Sequence, residues 1–398
     1  MISKTFVKIA AVGMGNLINA VIGFAYLSVI AKTLSLEDFG KYALLAGLLI
    51  SISRLMDFGT NSIYVTKSLT ENSKGLSQSE KFLGTRLILF IATIPISAFL
   101  LWFFHILSPQ ILLIFILGLI GYLINFTFYA FFQKEESFIN VILLNSIPAL
   151  LKGVFAVLIF TNNFTPDLNQ AFAVFSLSML SGLVLAFWLP KSVLKAKIDF
   201  SGFFTNIKES LSAGLSQTIY EWFPSINNGI AKLARGFTDV GIFSIANKMS
   251  SIFSLLSFSI FTVLLPKNAQ IKKSRDAYDF KETVIISFGI LLLAFAASFF
   301  GKLFINFFFG AKFNDSLPLL DILLFASAFT SIHTFIENYF FVENKTKLIL
   351  YINVAKLIVF LIASVILIKF YDIYGLAVAN LISAVLAVIL TVVFIKRK

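Results

Sequence analysis

Six charged residues sit inside stretches that are otherwise apolar enough to cross a membrane: the cations Arg54, Lys152, Lys248 and Lys356 and the carboxylates Asp57 and Glu221. A charge at the bilayer centre costs about 2.5–3.5 kcal/mol even on the lenient insertion scale, so each of these must meet water, a partner or a ligand. Cations outnumber carboxylates, and a net positive, water-poor site suits an anionic head group such as a phosphate or pyrophosphate. Asp57 and Glu221 are the groups able to balance that charge or to carry a coupling H+ or Na+. Rival pairings stay open. Arg54 and Asp57, at i and i+3, can neutralise each other, and Lys152 or Lys356 can claim Glu221. Glu337 lies near the expected cytoplasmic end of its helix, where water can solvate it. Pro224, three residues after Glu221, removes a backbone hydrogen bond and is expected to kink its helix.

Other chemistry lacks its residues. Cysteine is absent, no G-x-x-x-x-G-K-[ST] stretch occurs, and His105 and His333 form no metal-ligand spacing. No catalytic group, metal site or resident cofactor is expected, and both histidines read as structural.

The elements that carry the charges follow from composition. With 398 residues, 58% hydrophobic, 13% charged and a mean hydropathy of +0.92, the chain holds more apolar surface than a soluble domain can bury. Apolar runs of helical length recur, and the weak period-2 alternation of barrel strands is missing. The expected fold is an all-α integral membrane protein of twelve transmembrane helices. Their spans are 5–31, 40–66, 83–106, 110–132, 137–160, 169–190, 209–231, 240–265, 282–308, 316–341, 346–368 and 373–395. Ser35-Leu-Glu-Asp38 resembles a capping box for the second helix.

The net charge of +12 is loop charge rather than a nucleic-acid footprint. With the N-terminus inside, the inner side holds most Lys and Arg, Arg86 among them. The outer side keeps only Lys32, Lys41, Lys232, Arg235, Lys302, Lys312 and Lys369. Both ends are then cytoplasmic.

Ala31–Lys67 and Ala231–Lys267 repeat one pattern: Ala-Lys, then a glycine with an aromatic two positions on (Gly40 and Tyr42; Gly241 and Phe243), then a long apolar helix. Two six-helix bundles related as parallel repeats are expected around a central cavity. Their bounds are 1–190 and 209–398, joined by a basic cytoplasmic linker over 191–208. Polar stripes at three- and four-residue spacing on several helices, such as Ser51, Arg54, Asp57 and Asn61, are expected to wall that cavity or to glue helices together.

Leu34-Ser-Leu-Glu-Asp-Phe-Gly-Lys-Tyr42, Asp57-Phe-Gly-Thr-Asn61 and Lys67 resemble the N-terminal signature of the Wzx-like oligosaccharide flippases. These belong to the multidrug/oligosaccharidyl-lipid/polysaccharide exporter superfamily. Val240-Gly-Ile-Phe-Ser-Ile-Ala-Asn-Lys248 resembles its second-half counterpart. The resemblance implies flipping of undecaprenyl-pyrophosphate-linked oligosaccharide across a bacterial cytoplasmic membrane by alternating access, with the motif residues acting as fold markers. It also implies a monomer working beside a polysaccharide polymerase and a chain-length regulator, with membrane lipids and no nucleic acid as partners. A cation-coupled drug antiporter and a lipid II flippase of the same superfamily are the alternatives; an antiporter would want net carboxylates in the cavity.

Overall fold

The computed structural model describes residues 2–70, 75–190, 193, 196–251, 280–337, 339–340, 343 and 345–396. Among them every regular element is helical. Among the described residues eight helical stretches are long and apolar enough to cross a membrane. The chain divides into two compact units, Met1–Ser225 and Ile226–Lys398. The division falls inside a helix, just after Pro224, whereas the expected linker lies upstream at 191–208.

The first unit holds α1 (Ile2–Thr33), α2 (Leu36–Asp57), α3 (Thr60–Thr70), α4 (Gly75–Phe103), α5 (Pro109–Lys134), α6 (Phe138–Phe160) and α7 (Leu168–Leu177). α7 tightens into a 3-10 stretch over Ser178–Trp188. α8 (Phe203–Ala234) begins in this unit and ends in the next. Ser35 caps α2, accepting the Asp38 N–H at 3.1 Å and donating its hydroxyl to the Asp38 carboxylate at 2.9 Å.

α5 is the hub, packed by α2, α3, α4, α6 and α7. Small residues allow the close approach: a Cβ on Gly121 would lie 2.8 Å from the Met179 Cβ. Asn125 donates to the carbonyls of Gly121 at 2.7 Å and Met179 at 2.6 Å. It thereby supplies a donor to the 3-10 stretch, and its role is helix glue.

Residues 197–202 form a strap across α4. The Asp199 N–H donates to the Glu80 carbonyl at 3.2 Å and the Lys197 N–H to Glu80 Oε1 at 3.0 Å. Gly84 leaves no gap beneath it, because a Cβ there would run into the Asp199 carbonyl. The Ser201 backbone N–H, then its hydroxyl, hold the Asp199 carboxyl below its usual range. A lowered value stabilises the docked strap above the ordinary carboxylate range, and that contribution fades as pH falls through the lowered value. Gly84→Val is therefore expected to speed tryptic cleavage after Lys197 at neutral pH without loss of helix, and acidification to loosen the wild-type strap in hydrogen exchange. Unchanged cleavage would show that the strap does not rest on this contact.

In the second unit α9 (Phe237–Ser250), α10 (Phe280–Phe308), α11 (Leu317–Ile336) and α12 (Thr346–Lys396) surround α11, which packs on the other three. α12 breaks at Tyr371 and Asp372, between the two expected spans, and Asp372 pairs with Arg235. Gly375 sits so close to the Leu367 carbonyl that no side chain fits at this turn. Asn227 of α8 and Asn380 of α12 exchange amide hydrogen bonds of 3.2 and 2.7 Å.

The sequence repeat has a local structural echo. Gly40 and Gly241 are each the fifth residue of their helix, Tyr42 and Phe243 each the seventh, and all four are buried. The expected second half of helix 8, with Ser254, Pro266 and Lys267, lies outside the described residues.

Candidate functional site

The expected second helix does not run unbroken from 40 to 66. α2 ends at Asp57, Phe58 and Gly59 take positive φ values of 38° and 73°, and α3 restarts at Thr60. An unbroken polar stripe through Asn61 is thereby corrected. The physical reason is Gly59: a left-handed position costs glycine nothing, whereas other residues pay roughly 1–2 kcal/mol.

A break within a membrane span frees backbone groups that lipid cannot satisfy. Side chains take them up here. Asp57 Oδ1 accepts the Asn61 N–H at 3.3 Å, and the Thr60 hydroxyl donates to the Asp57 carbonyl at 2.6 Å. Arg86 of α4 then closes the corner. Its Nη2 donates to Asp57 Oδ1 at 2.7 Å and Asn61 Oδ1 at 2.5 Å, its Nε donates to Thr60 at 3.3 Å, and its guanidinium lies 4.8 Å from the Phe82 ring centre.

Arg86 is 1% exposed. Counting it with the loop charges was mistaken, and so was the intrahelical pairing of Arg54 with Asp57: Asp57 belongs to Arg86. The α8 backbone comes close over the corner, since a Cβ on Gly214 would lie 2.5 Å from the Phe58 carbonyl oxygen. Further along, Glu209 of α8 pairs with Lys67 of α3 at 2.5 Å.

One turn before the break lies a more open pair. Arg54 Nη2 stands 3.4 Å from Glu221 Oε1, and the two side chains are 28% and 27% exposed. The Arg54 guanidinium lies 4.9 Å from the centre of the Phe126 ring on α5, while its Nε makes no hydrogen bond among the described residues.

Trp222 and Ser225 lock α8 to α2 around the pair. The indole N–H donates to the Ser51 carbonyl at 2.7 Å, and the Ser51 and Ser225 hydroxyls share a 2.6 Å hydrogen bond. Glu221 is thus paired with Arg54. α8 stays helical through Pro224, which has no N–H to give the Tyr220 carbonyl.

The other expected cations belong one to the first unit and two to the second. Lys152 of α6 is half-buried with its Nζ 5.2 Å from the Phe175 ring centre. Lys248 is exposed on α9. Lys356 of α12 donates to the Thr330 hydroxyl at 3.3 Å and lies within electrostatic range of Glu337. Glu337 is itself buried, at 9% exposure, and pairs with His333 at 3.0 Å, which overturns its reading as a solvated carboxylate.

Sequence reasoning missed Arg86, Trp222 and Phe126. For Arg86 a signal existed: a glycine inside the helical pattern of 40–66 marks a break that needs a buried donor.

What the site offers is a half-open guanidinium on an aromatic bed, held by one carboxylate, above a sealed structural ion pair. The model of the family described as polysaccharide biosynthesis protein matches residues 7–272. The chain belongs to that family. The capsular polysaccharide biosynthesis protein CapF of Staphylococcus aureus is 24% identical over 397 residues, covering 96% of this chain and 97% of that protein.

Among solved structures, the lipid II flippase MurJ in an inward closed conformation matches with a TM-score of 0.78 and 14% identity, over 97% of this chain and 87% of that one. An inward-facing multidrug resistance MATE family transporter of the MOP superfamily matches with a TM-score of 0.65 and 15% identity, over 95% and 94%. At these identities the likeness is one of fold. This family member is therefore a multi-pass membrane protein that shares its fold with those two structures.

Proposed function

We propose that the chain is a flippase that carries a polyprenyl-pyrophosphate-linked oligosaccharide from the cytoplasmic to the outer leaflet of a bacterial inner membrane. The observation that carries this reading is Arg54: a partly exposed guanidinium paired with one carboxylate among the described residues and set on an aromatic ring within a polysaccharide biosynthesis family member. Guanidinium forks suit phosphate oxygens, and Glu221 holds the same group when no substrate is present. Lys152, Lys248 and Lys356 are the further cations proposed for the head group. Pro224 is the point at which α8 is proposed to bend between states. With both ends cytoplasmic and the membrane inside-negative, each negative charge moved outward gains about 2.3 kcal/mol per 100 mV. A monomer acting beside a polymerase and a chain-length regulator fits this role.

The test is flipping of a fluorescent short-chain polyprenyl-pyrophosphoryl saccharide in vesicles containing the purified protein, read by quenching of the outer-leaflet dye. Faster equilibration than in protein-free vesicles is expected, accelerated by an inside-negative potential. Protein-free rates for this probe, with uptake of an organic cation such as rhodamine 6G instead, would replace the reading with a drug antiporter.

A further inference from the structure

Asp57 and Glu221 are each already neutralised by a guanidinium, whereas Glu337 of the second unit shares its contact with an imidazole. Hydrogen positions around that imidazole follow from its partners. The Thr391 hydroxyl lies 2.7 Å from the Ala387 carbonyl, an atom that only accepts, so the single hydroxyl hydrogen points there. His333 Nδ1, 2.9 Å from the same Thr391 oxygen, must then be the donor. On the far side of the ring, Nε2 faces Glu337 Oε1 at 3.0 Å and the Asn353 Oδ1 at 3.4 Å.

With Nδ1 already protonated, a neutral imidazole would turn its lone pair onto a carboxylate oxygen, an unfavourable contact in a site 2% exposed at His333. The contact holds only with one additional proton, on Nε2 or on the carboxyl. Reversing the Asn353 amide changes nothing, because its oxygen would then need a donor from Glu337.

We propose that His333 and Glu337 form a proton-binding site that loads and unloads during the transport cycle. Unloading moves one proton from the Nε2···Oε1 contact to water and leaves neutral imidazole beside carboxylate. The pair touches both arms of α12, Asn353 on the first and Thr391 on the second, so the change is felt at the α11–α12 packing. Lys356 is the cation facing Glu337, and it remains as countercharge after the proton leaves. On the other helical elements packed against α11, the charged residues with described side chains are Asp239 and Lys248 of α9 and Lys312 and Asp315 of the 3-10 turn Ala311–Ser316; the side chains of Lys281, Glu282 and Lys302 on α10 lie outside the described set.

The coupling role rests on the proposed transport activity, while the proton site itself does not, and two measurements separate them. The chain has two histidines, so 15N-histidine spectra of the His105→Asn protein report His333 alone. The His333 nitrogens are expected to report a proton on Nδ1 and a second proton shared across the Nε2···Oε1 contact. In Glu337→Gln, where the amide can donate to Nε2, they are expected to stay in one neutral tautomer. A neutral His333 in the parent protein with no proton shared with Glu337, or the same spectrum in Glu337→Gln, would overturn the proton site, whether or not the lipid-linked probe is flipped.

In vesicles, probe flipping is expected to respond to an imposed pH gradient and to lose that response, but not all activity, in Glu337→Gln. An undiminished response in that variant, or a response to a sodium gradient at fixed pH instead, would overturn the coupling and leave the flippase reading intact. If the probe is not flipped at all, the flippase reading fails and the histidine spectra alone decide the site.

Discussion

Asp57→Ala is expected to cost about 3–5 kcal/mol of stability, because it strands a guanidinium that is 1% exposed and already has one nitrogen, Nη1, without a hydrogen bond among the described residues. Desolvating a charge is tolerable only while a carboxylate answers it. Asp57 is also the acceptor for the first free N–H of α3, so the same substitution uncaps that helix for roughly a further 1 kcal/mol.

Replacing both partners gives a different outcome. Asp57→Leu together with Arg86→Met removes the two charges at once and should recover most of the loss, leaving mainly the missing cap. Thermal unfolding of the detergent-solubilised protein, followed by tryptophan fluorescence, measures both variants against the parent. If Asp57→Ala unfolds with the parent, or the double variant is worse than the single one, the corner is not held by this pair.

Arg54→Gln should leave stability nearly untouched and depress transport. The Arg54–Glu221 pair is about a quarter exposed, and such pairs contribute about 0–1 kcal/mol. A charge-assisted bond to a phosphate oxygen contributes about 1.5–3 kcal/mol, so its loss should lower flipping of the pyrophosphate-linked probe by roughly 10- to 100-fold. Arg54→Lys keeps the charge without the fork and should fall between.

Glu221→Gln acts in the opposite direction. It removes the carboxylate that competes for Arg54, and the concentration of probe giving half-maximal flipping should fall. Opposite signs at two residues 3.4 Å apart identify a ligand exchange. If both variants impair flipping equally with unchanged half-saturation, the pair is structural and the anion is held elsewhere.

Much of this protein was legible from one dimension. Long apolar runs specify membrane helices because lipid admits no unpaired backbone, and the expected spans of α5, α6 and α10 agree with the observed helices to within a few residues. The Ser35 cap and the glycine-aromatic register of α2 and α9 were readable too, since both depend on neighbours close in sequence.

Partner choice was not legible. Arg54 and Asp57 stand three residues apart and yet are claimed by Glu221 and Arg86, 167 and 29 positions away. The break at Phe58-Gly59 sends the carboxylate into a different corner from the guanidinium one turn earlier. Likewise Glu337, at the end of an apolar run, reads as solvated until α12 folds over it and supplies Asn353 and Lys356. Helical periodicity is a property of the chain and survives in its letters. Which charge answers which depends on how helices cross, and that was decided only when the small residues of α5 and α8 let their neighbours come close.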